Sequence, residues 1–201
     1  MTLKKLNLIK NKVNDIIIKK QLKTNPAVIA VTKTFSVDKI KPLIDEGHIH
    51  FGENKLQEAE KKWPEVKKKS SSIRLHMIGK LQSNKAKKAV HLFDYIHSLD
   101  NIKLAEKISQ YEKELGKKIK LFIQVNLAEE KQKSGILLKD LNDFYNYCRD
   151  KLDLDIIGLM CLPPINSESN KYFQILKKKS EELNLHEISM GMSADYEEAV
   201  C

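Results

Sequence analysis

Seven short apolar runs, alternating with longer charged and amphipathic stretches, constrain this chain more than any other feature. The runs span 28–32, 48–52, 75–79, 95–99, 119–126, 156–160 and 187–191. Helix-like stretches fall between them at 37–46, 55–63, 84–92, 102–115, 138–149 and 170–183. Strand-length apolar segments alternating with helical periodicity predict a parallel sheet built from right-handed crossovers. The α/β fold expected first is a (β/α)8 TIM-like barrel, with a doubly wound open sheet second. No Gly, Pro or Ser-rich linker divides the chain, because Ser70-Ser71-Ser72 lies between one helix and its next strand. One domain over 1–201 is expected, beginning with an N-terminal helix within residues 1–25.

That first helix carries Leu6, Leu8, Ile9, Val13, Ile16 and Ile17 at helical spacing among lysines, a pattern that lacks a signal-peptide core. An apolar content of 41% without a membrane-length run predicts a soluble protein with no membrane partner. Cys148, Cys161 and Cys201 are widely spaced and form no Cys-x-x-Cys pair, which argues against a disulfide framework or zinc site and fits the reduced cytoplasm. The net charge of +9 is almost all lysine, with only Arg74 and Arg149 to offer bidentate forks. Lysine runs at 67–69 and 177–179 lead into Ser70 or Ser180-Glu181-Glu182, so they read as solvated faces and not as a specific nucleic-acid surface. Dinucleotide and phosphate-loop fingerprints are missing.

In a barrel of this kind the working groups lie at the carboxyl ends of the strands. Read in order, those ends give Lys33, Glu53-Asn54, Gly79 with Gln82 and Asn84, Ser98, Asn126, Met160 and the 189–193 segment. Lys33 closes the run Ala27 to Thr32. An amine sheltered there would be desolvated, its ammonium form disfavoured and its neutral nitrogen able to attack an aldehyde. Some polar positions also fit as helix caps: Asn54 with Gln57 matches a capping box, and Ser193 precedes Asp195 and Glu197 at a helix start. An amine among neutral polar groups and glycines suits a small anionic or carbonyl ligand. Rival chemistries have less support. The pair His48-x-His50 would share one strand face, but no acidic or cysteine cluster completes a metal set. Glu53 and Asp195 could act as an acid pair, and no Gly-x-Ser-x-Gly elbow is present.

Linked motifs run through the chain in order: Val31-Thr32-Lys33-Thr34, Phe51-Gly52-Glu53-Asn54 with Gln57-Glu58, and His76-x-Ile78-Gly79-x-Leu81-Gln82-x-Asn84-Lys85. Lys133-Ser134-Gly135, Gly158-Leu159-Met160 and Ser189-Met190-Gly191-Met192-Ser193-x-Asp195 follow. From about residue 27 to its last residue the chain resembles the pyridoxal 5'-phosphate homeostasis protein family, which is similar to the N-terminal barrel of alanine racemase. The resemblance implies that Lys33 holds pyridoxal phosphate as an internal aldimine, a Schiff base. It implies further cofactor contacts from Asn54, Ile78 and Gly79 near the ring and from Ser189, Gly191 and Met192 around the phosphate. It also implies a cofactor carrier that influences vitamin B6 pools, whose partners are pyridoxal phosphate and pyridoxal-phosphate-dependent apo-enzymes, and a monomer is expected.

No enzymatic turnover is expected. A racemase needs acid-base groups on both faces of the bound cofactor, and the matching enzymes draw one from a second domain. A racemase-like enzyme and a basic nucleic-acid-binding protein are the alternatives. One departure stands out: the family continues past the Met-Ser-x-Asp helix to an eighth strand with a phosphate-binding turn, whereas this sequence stops at Cys201. The eighth strand is therefore expected to be absent, leaving an open edge.

Overall fold

The chain enters its fold through α1 (Leu3–Lys20), whose first turn is capped by the Thr2 hydroxyl accepting from the Lys5 amide at 3.3 Å. The computed structural model describes residues 2–130, 132–165 and 167–201. α1 ends short of residue 25: Gln21 adopts a left-handed conformation (φ +51°) and closes the helix onto the carbonyls of Ile17 and Ile18. Only Leu6 and Val13 of this helix are buried.

Alternating units follow: β1 (Ala30–Val31), α2 (Val37–Asp45), β2 (His50–Glu53), α3 (Leu56–Lys69), β3 (Arg74–Met77), α4 (Ala86–Leu92), β4 (Tyr95–Leu99), α5 (Ile102–Leu115) and β5 (Lys120–Asn126). They continue with β6 (Ile136–Leu137), α6 (Leu141–Asn146), β7 (Ile156–Met160), α7 (Ser169–Glu182), β8 (Glu187–Ser189) and α8 (Tyr196–Val200). Seven strands form one path, β1-β2-β3-β4-β5-β7-β8, and every pairing is parallel. These are the seven runs read from the sequence. β6 is an addition that pairs only with the end of β5, Val125 to Ile136 and Asn126 to Leu137. The architecture is the expected TIM-like barrel, open at one seam: among the described residues nothing pairs β8 to β1. Across that opening α8 meets α1 through Lys12 to Glu197 (3.6 Å) and Lys20 Nζ to Cys201 Sγ (2.9 Å).

The outer strand face carries the apolar core under the helices. Ala30, Phe51, Leu75, Ile96, Leu121 and Leu159 are fully buried there, against Ile40 of α2, Trp63 of α3 and Leu104 of α5. α3 corrects the sequence reading, which stops at Trp63 before Pro64. The helix passes through the proline to Lys69 because Leu56, Ala59, Trp63 and Val66 recur on one face and pack into the core. That burial offsets the missing proline amide. Among the described residues no helix is long and apolar enough to cross a membrane.

A fully buried carboxylate interrupts this apolar layer. Glu53, at the end of β2, points outward beneath α3 and is 0% exposed. Its Oε1 accepts from Thr32 Oγ1 (2.7 Å), Lys62 Nζ (2.7 Å) and Trp63 Nε1 (3.0 Å). Lys62 Nζ also donates to the Thr32 carbonyl at 2.7 Å. The cluster ties β1, β2 and α3 together directly below the residue that precedes Lys33. Lys62→Met is expected to destabilise the protein by roughly 3–5 kcal/mol, because a buried carboxylate loses its counter-charge. Pairing it with Glu53→Gln should recover part of the loss. Urea unfolding of both variants checks this, and a wild-type midpoint for Lys62→Met would contradict it.

Candidate functional site

Side-chain alternation along the strands decides which residues face the barrel interior. The methyl groups of Ile29, Val31 and Ile78 converge on the place where a Cβ at Gly52 would stand, at 2.9, 3.5 and 3.3 Å. Residues 29, 31, 52 and 78 therefore form an inward apolar wall across β1, β2 and β3. Lys33 and Asn54 lie just past the carboxyl ends of β1 and β2.

Lys33 departs from expectation in one respect. It is exposed, on a turn above the rim, and not sheltered within the strand. The ladder of β1 is only two residues long, and the chain turns at Thr34 with φ +65°. A β-branched residue in the left-handed region costs about 1–3 kcal/mol and persists only where its surroundings impose it. Here Phe35 N donates to the Thr32 carbonyl (3.1 Å), and Thr34 N reaches Glu58 Oε2 at 3.4 Å. With Thr32 clamped by Glu53 and Lys62, the turn bearing the Lys33 amine is held from below.

Asn54 and Gly79 are brought together. A Cβ on Gly79 would overlap the Asn54 carbonyl, so only glycine permits the approach of these two loops. The Gly79 carbonyl accepts from Ser98 Oγ at 2.7 Å, joining the ends of β2, β3 and β4. The capping box read at Asn54 does not form: the N-cap of α3 is Lys55, without a side-chain cap. Asn54 lies one residue before the cap, just past the end of β2. Ser193 likewise does not cap α8, whose N-cap is Asp195.

At the far edge of the sheet, Ser189 ends β8 with its carbonyl accepting from Cys161 N (3.2 Å). Gly191 adopts φ +83°, and a Cβ there would stand 2.7 Å from that of Ala199. Met192 is exposed, and its amide donates to Asp195 Oδ1 at 2.6 Å. Asp195 Oδ2 accepts from Ser169 Oγ at 3.0 Å. The acid pair considered for Glu53 and Asp195 is thus set aside, since Glu53 faces α3 and Asp195 organises the loop before α8. Asn126 and Met160 are buried at the ends of β5 and β7. A groove of about 610 Å³ between α1, α7 and α8 contains none of these residues.

A row of histidines is what sequence reasoning missed, having weighed them only as metal ligands. His50 Nδ1 and His76 Nε2 are 3.0 Å apart, His76 Nδ1 and His97 Nε2 2.9 Å, and His97 Nδ1 and Ser189 Oγ 2.7 Å. The row crosses the interior from β2 through β3 and β4 to β8. Tyr95 stacks on His76 (centroids 4.2 Å, 14°) and Phe122 on His97 (4.3 Å, 18°). Burial holds His97 down to about 3 and His76 to about 2, the latter helped by its histidine neighbours. His48, whose Nε2–H donates to the His50 carbonyl at 2.8 Å, falls to about 4 through burial and nearby Lys10. His50 is lowered by burial, then by Arg74 and Lys10. The available signal was parity: His50, His76 and His97 occupy inward positions of adjacent strands.

The upper end of the sheet thus presents an exposed primary amine on a strained turn, an apolar inner wall, and a hydroxyl beside a glycine loop. These features fit an aldehyde that carries an anion.

The chain is similar to known proteins over nearly its whole length. The family model for the alanine racemase N-terminal domain matches residues 7–199. A pyridoxal phosphate homeostasis protein of Synechocystis is 36% identical over 182 residues, covering 86% of this chain and 83% of that one. The structure of PipY from Synechococcus elongatus with PLP bound superposes with a TM-score of 0.80 at 34% identity, covering 94% of this chain and 92% of that one. An alanine racemase of Clostridium difficile shares the fold, with a TM-score of 0.70 at 14% identity over 97% of this chain and 55% of its own.

Because His76 and His97 are 4% and 1% exposed, their lowered values make stability depend on pH. The unfolded chain takes up protons first, near pH 6.5, so this contribution is complete above that pH and is lost as pH falls below it toward the folded values. Each ring is expected to cost about 1.4 kcal/mol per pH unit, or about 2 kcal/mol at pH 5. Urea midpoints at pH 7.5 and 5.0 test this, and equal values would mean the rings accept protons in place.

Proposed function

Because this chain belongs to the pyridoxal phosphate homeostasis protein family, built on the alanine racemase N-terminal domain, we propose that it binds pyridoxal 5'-phosphate and serves its homeostasis. On this reading Lys33 holds the cofactor reversibly as a Schiff base. The observation that carries the proposal is the gathering, at one end of the parallel sheet, of the Lys33 turn, the Asn54–Gly79 contact and the Ser189–Gly191 loop. The cofactor supplies an aldehyde for the amine and a phosphate dianion for hydrogen-bond donors.

The residues of the chain divide the work. Exposure of Lys33 suits capture and release, since the amine is reached without opening the core. The turn at Thr34 and the clamp beneath Thr32 fix the direction from which that amine approaches. Ile78 and Val31 offer an apolar wall for the ring. Asn54, adjoining Gly79, offers amide hydrogen bonds to ring substituents. Ser189 supplies a hydroxyl, and Gly191 and Met192 form the loop that accepts the phosphate.

Reversible holding suits a carrier that delivers the cofactor to apo-enzymes and does not itself turn over substrate. The naming of the similar relatives as homeostasis proteins supports this reading, and the alanine racemase likeness at 14% identity speaks for the fold alone.

Titration with pyridoxal phosphate, borohydride reduction and peptide mapping test the assignment. The expected adduct lies on Lys33, and Lys33→Ala should abolish it while leaving the unfolding free energy from urea titration within about 0.5 kcal/mol of wild type, as for an exposed side chain. An adduct on another lysine, or an unchanged absorbance in the variant, would refute Lys33 as the tether. D-alanine formed from L-alanine above the rate of free cofactor would refute the carrier reading in favour of a racemase.

A further inference from the structure

The histidine row has a property that its individual bonds do not. A neutral imidazole carries one N–H, so each ring in a series must donate on one side and accept on the other. Two arrangements of His50, His76 and His97 satisfy all three bonds. Either every ring is protonated on Nδ1 and the row donates toward Ser189, or every ring is protonated on Nε2 and the Ser189 hydroxyl donates to His97. Any mixture sets two lone pairs or two N–H groups face to face. The aromatic rings of Tyr95 and Phe122 hold the two inner imidazoles in plane. The sense of the row is therefore reversed by moving protons, not by turning rings.

The two senses differ at Ser189. With the row donating toward it, the serine oxygen accepts from His97 Nδ1–H and keeps its own proton for an anion. In the opposite sense that proton is committed to His97. We propose that His97 is a positioning residue that acts through Ser189: an anion at Ser189 fixes the row in the Nδ1–H sense from His97 to His50, coupling the phosphate end of the site to the base of the barrel. This rests on the pyridoxal phosphate reading above.

At the base, His50 lines a cavity of about 310 Å³ together with Lys10, Asn14 and His48. Reversing the row balances as one proton in and one proton out. Ser189 passes its proton to His97 Nδ1 and gains one from solvent, His97 passes its Nε2 proton to His76, and His76 passes its own to His50. His50 then releases its Nε2 proton into the base cavity. Lys10 and Arg74, the cations that depress His50, favour this release. Coupling of this kind is reciprocal, so a substitution at His50 is also expected to alter anion affinity at Ser189.

The test uses the full chain with ¹⁵N-labelled histidine, loaded with pyridoxal phosphate at neutral pH. Two-bond proton–nitrogen spectra of the loaded protein should show His50, His76 and His97 all protonated on Nδ1. An Nε2–H form at any of the three would overturn the inference. As a second measurement, His97→Phe should weaken pyridoxal phosphate binding about tenfold, the size of one hydrogen bond acting on a charged group. Binding of pyridoxal, which lacks the phosphate, should not change. Equal weakening of both ligands would mean a merely structural role and would overturn the proposal, and the wild-type spectrum decides the matter if that variant does not fold. Wild-type protein that binds no pyridoxal phosphate would sink the cofactor reading and this inference together. Binding with the wrong tautomers would sink only the inference.

Discussion

A parallel sheet that does not close on itself needs something other than backbone hydrogen bonds to hold its curve. Here the bridging contact is between His97 and Ser189 at 2.7 Å, which links β4 to β8 although β5 and β7 stand between them in the sheet. The contact requires room inside, and glycines provide it. A Cβ on Gly158 would stand 2.9 Å from Phe122, so that ring lies over the glycine and reaches His97. On the opposite side Ile29, Val31 and Ile78 fill the space over Gly52. The interior is thus apolar at its flanks and hydrogen-bonded across its middle, and the strand ends above it inherit their positions from that arrangement.

Two kinds of polar cluster serve this frame, on opposite faces of the strands. The inner one is neutral and depends on burial to stay so. The outer one, around Glu53, is ionic and anchors β1 to α3. Alternation along β2 separates them: His50 and Gly52 face inward, Phe51 and Glu53 face the helices. The turn carrying Lys33 is consequently supported from the helix layer while its side chain is exposed.

Much of this was legible in the sequence. Seven short apolar runs became seven strands, and their carboxyl ends contain the residues that the fold brings to one end of the sheet. The rest depended on information that one segment does not carry. β6 is two residues long and exists only as a partner of β5. Pro64 marks a helix end in isolation, but the burial of Trp63 and Val66 carries α3 through it. The Asn54 capping pattern was displaced by one residue to Lys55, a difference fixed by how the chain leaves β2. Lys33 emerged exposed because Thr34 turns the chain early. The histidine row needed the register of three strands and the approach of a fourth, none of which is a local property. Strict use of parity would have turned Glu53 away from the mouth and His50, His76 and His97 inward.

Trp63 is the only tryptophan in the sequence, and it is fully buried with its indole N–H on Glu53. An indole so placed emits at short wavelength, and its emission shifts when water or a lost hydrogen bond changes its surroundings. The same carboxylate oxygen receives Thr32, one residue before Lys33. The protein therefore carries its own optical gauge of the β1 turn, readable without any label.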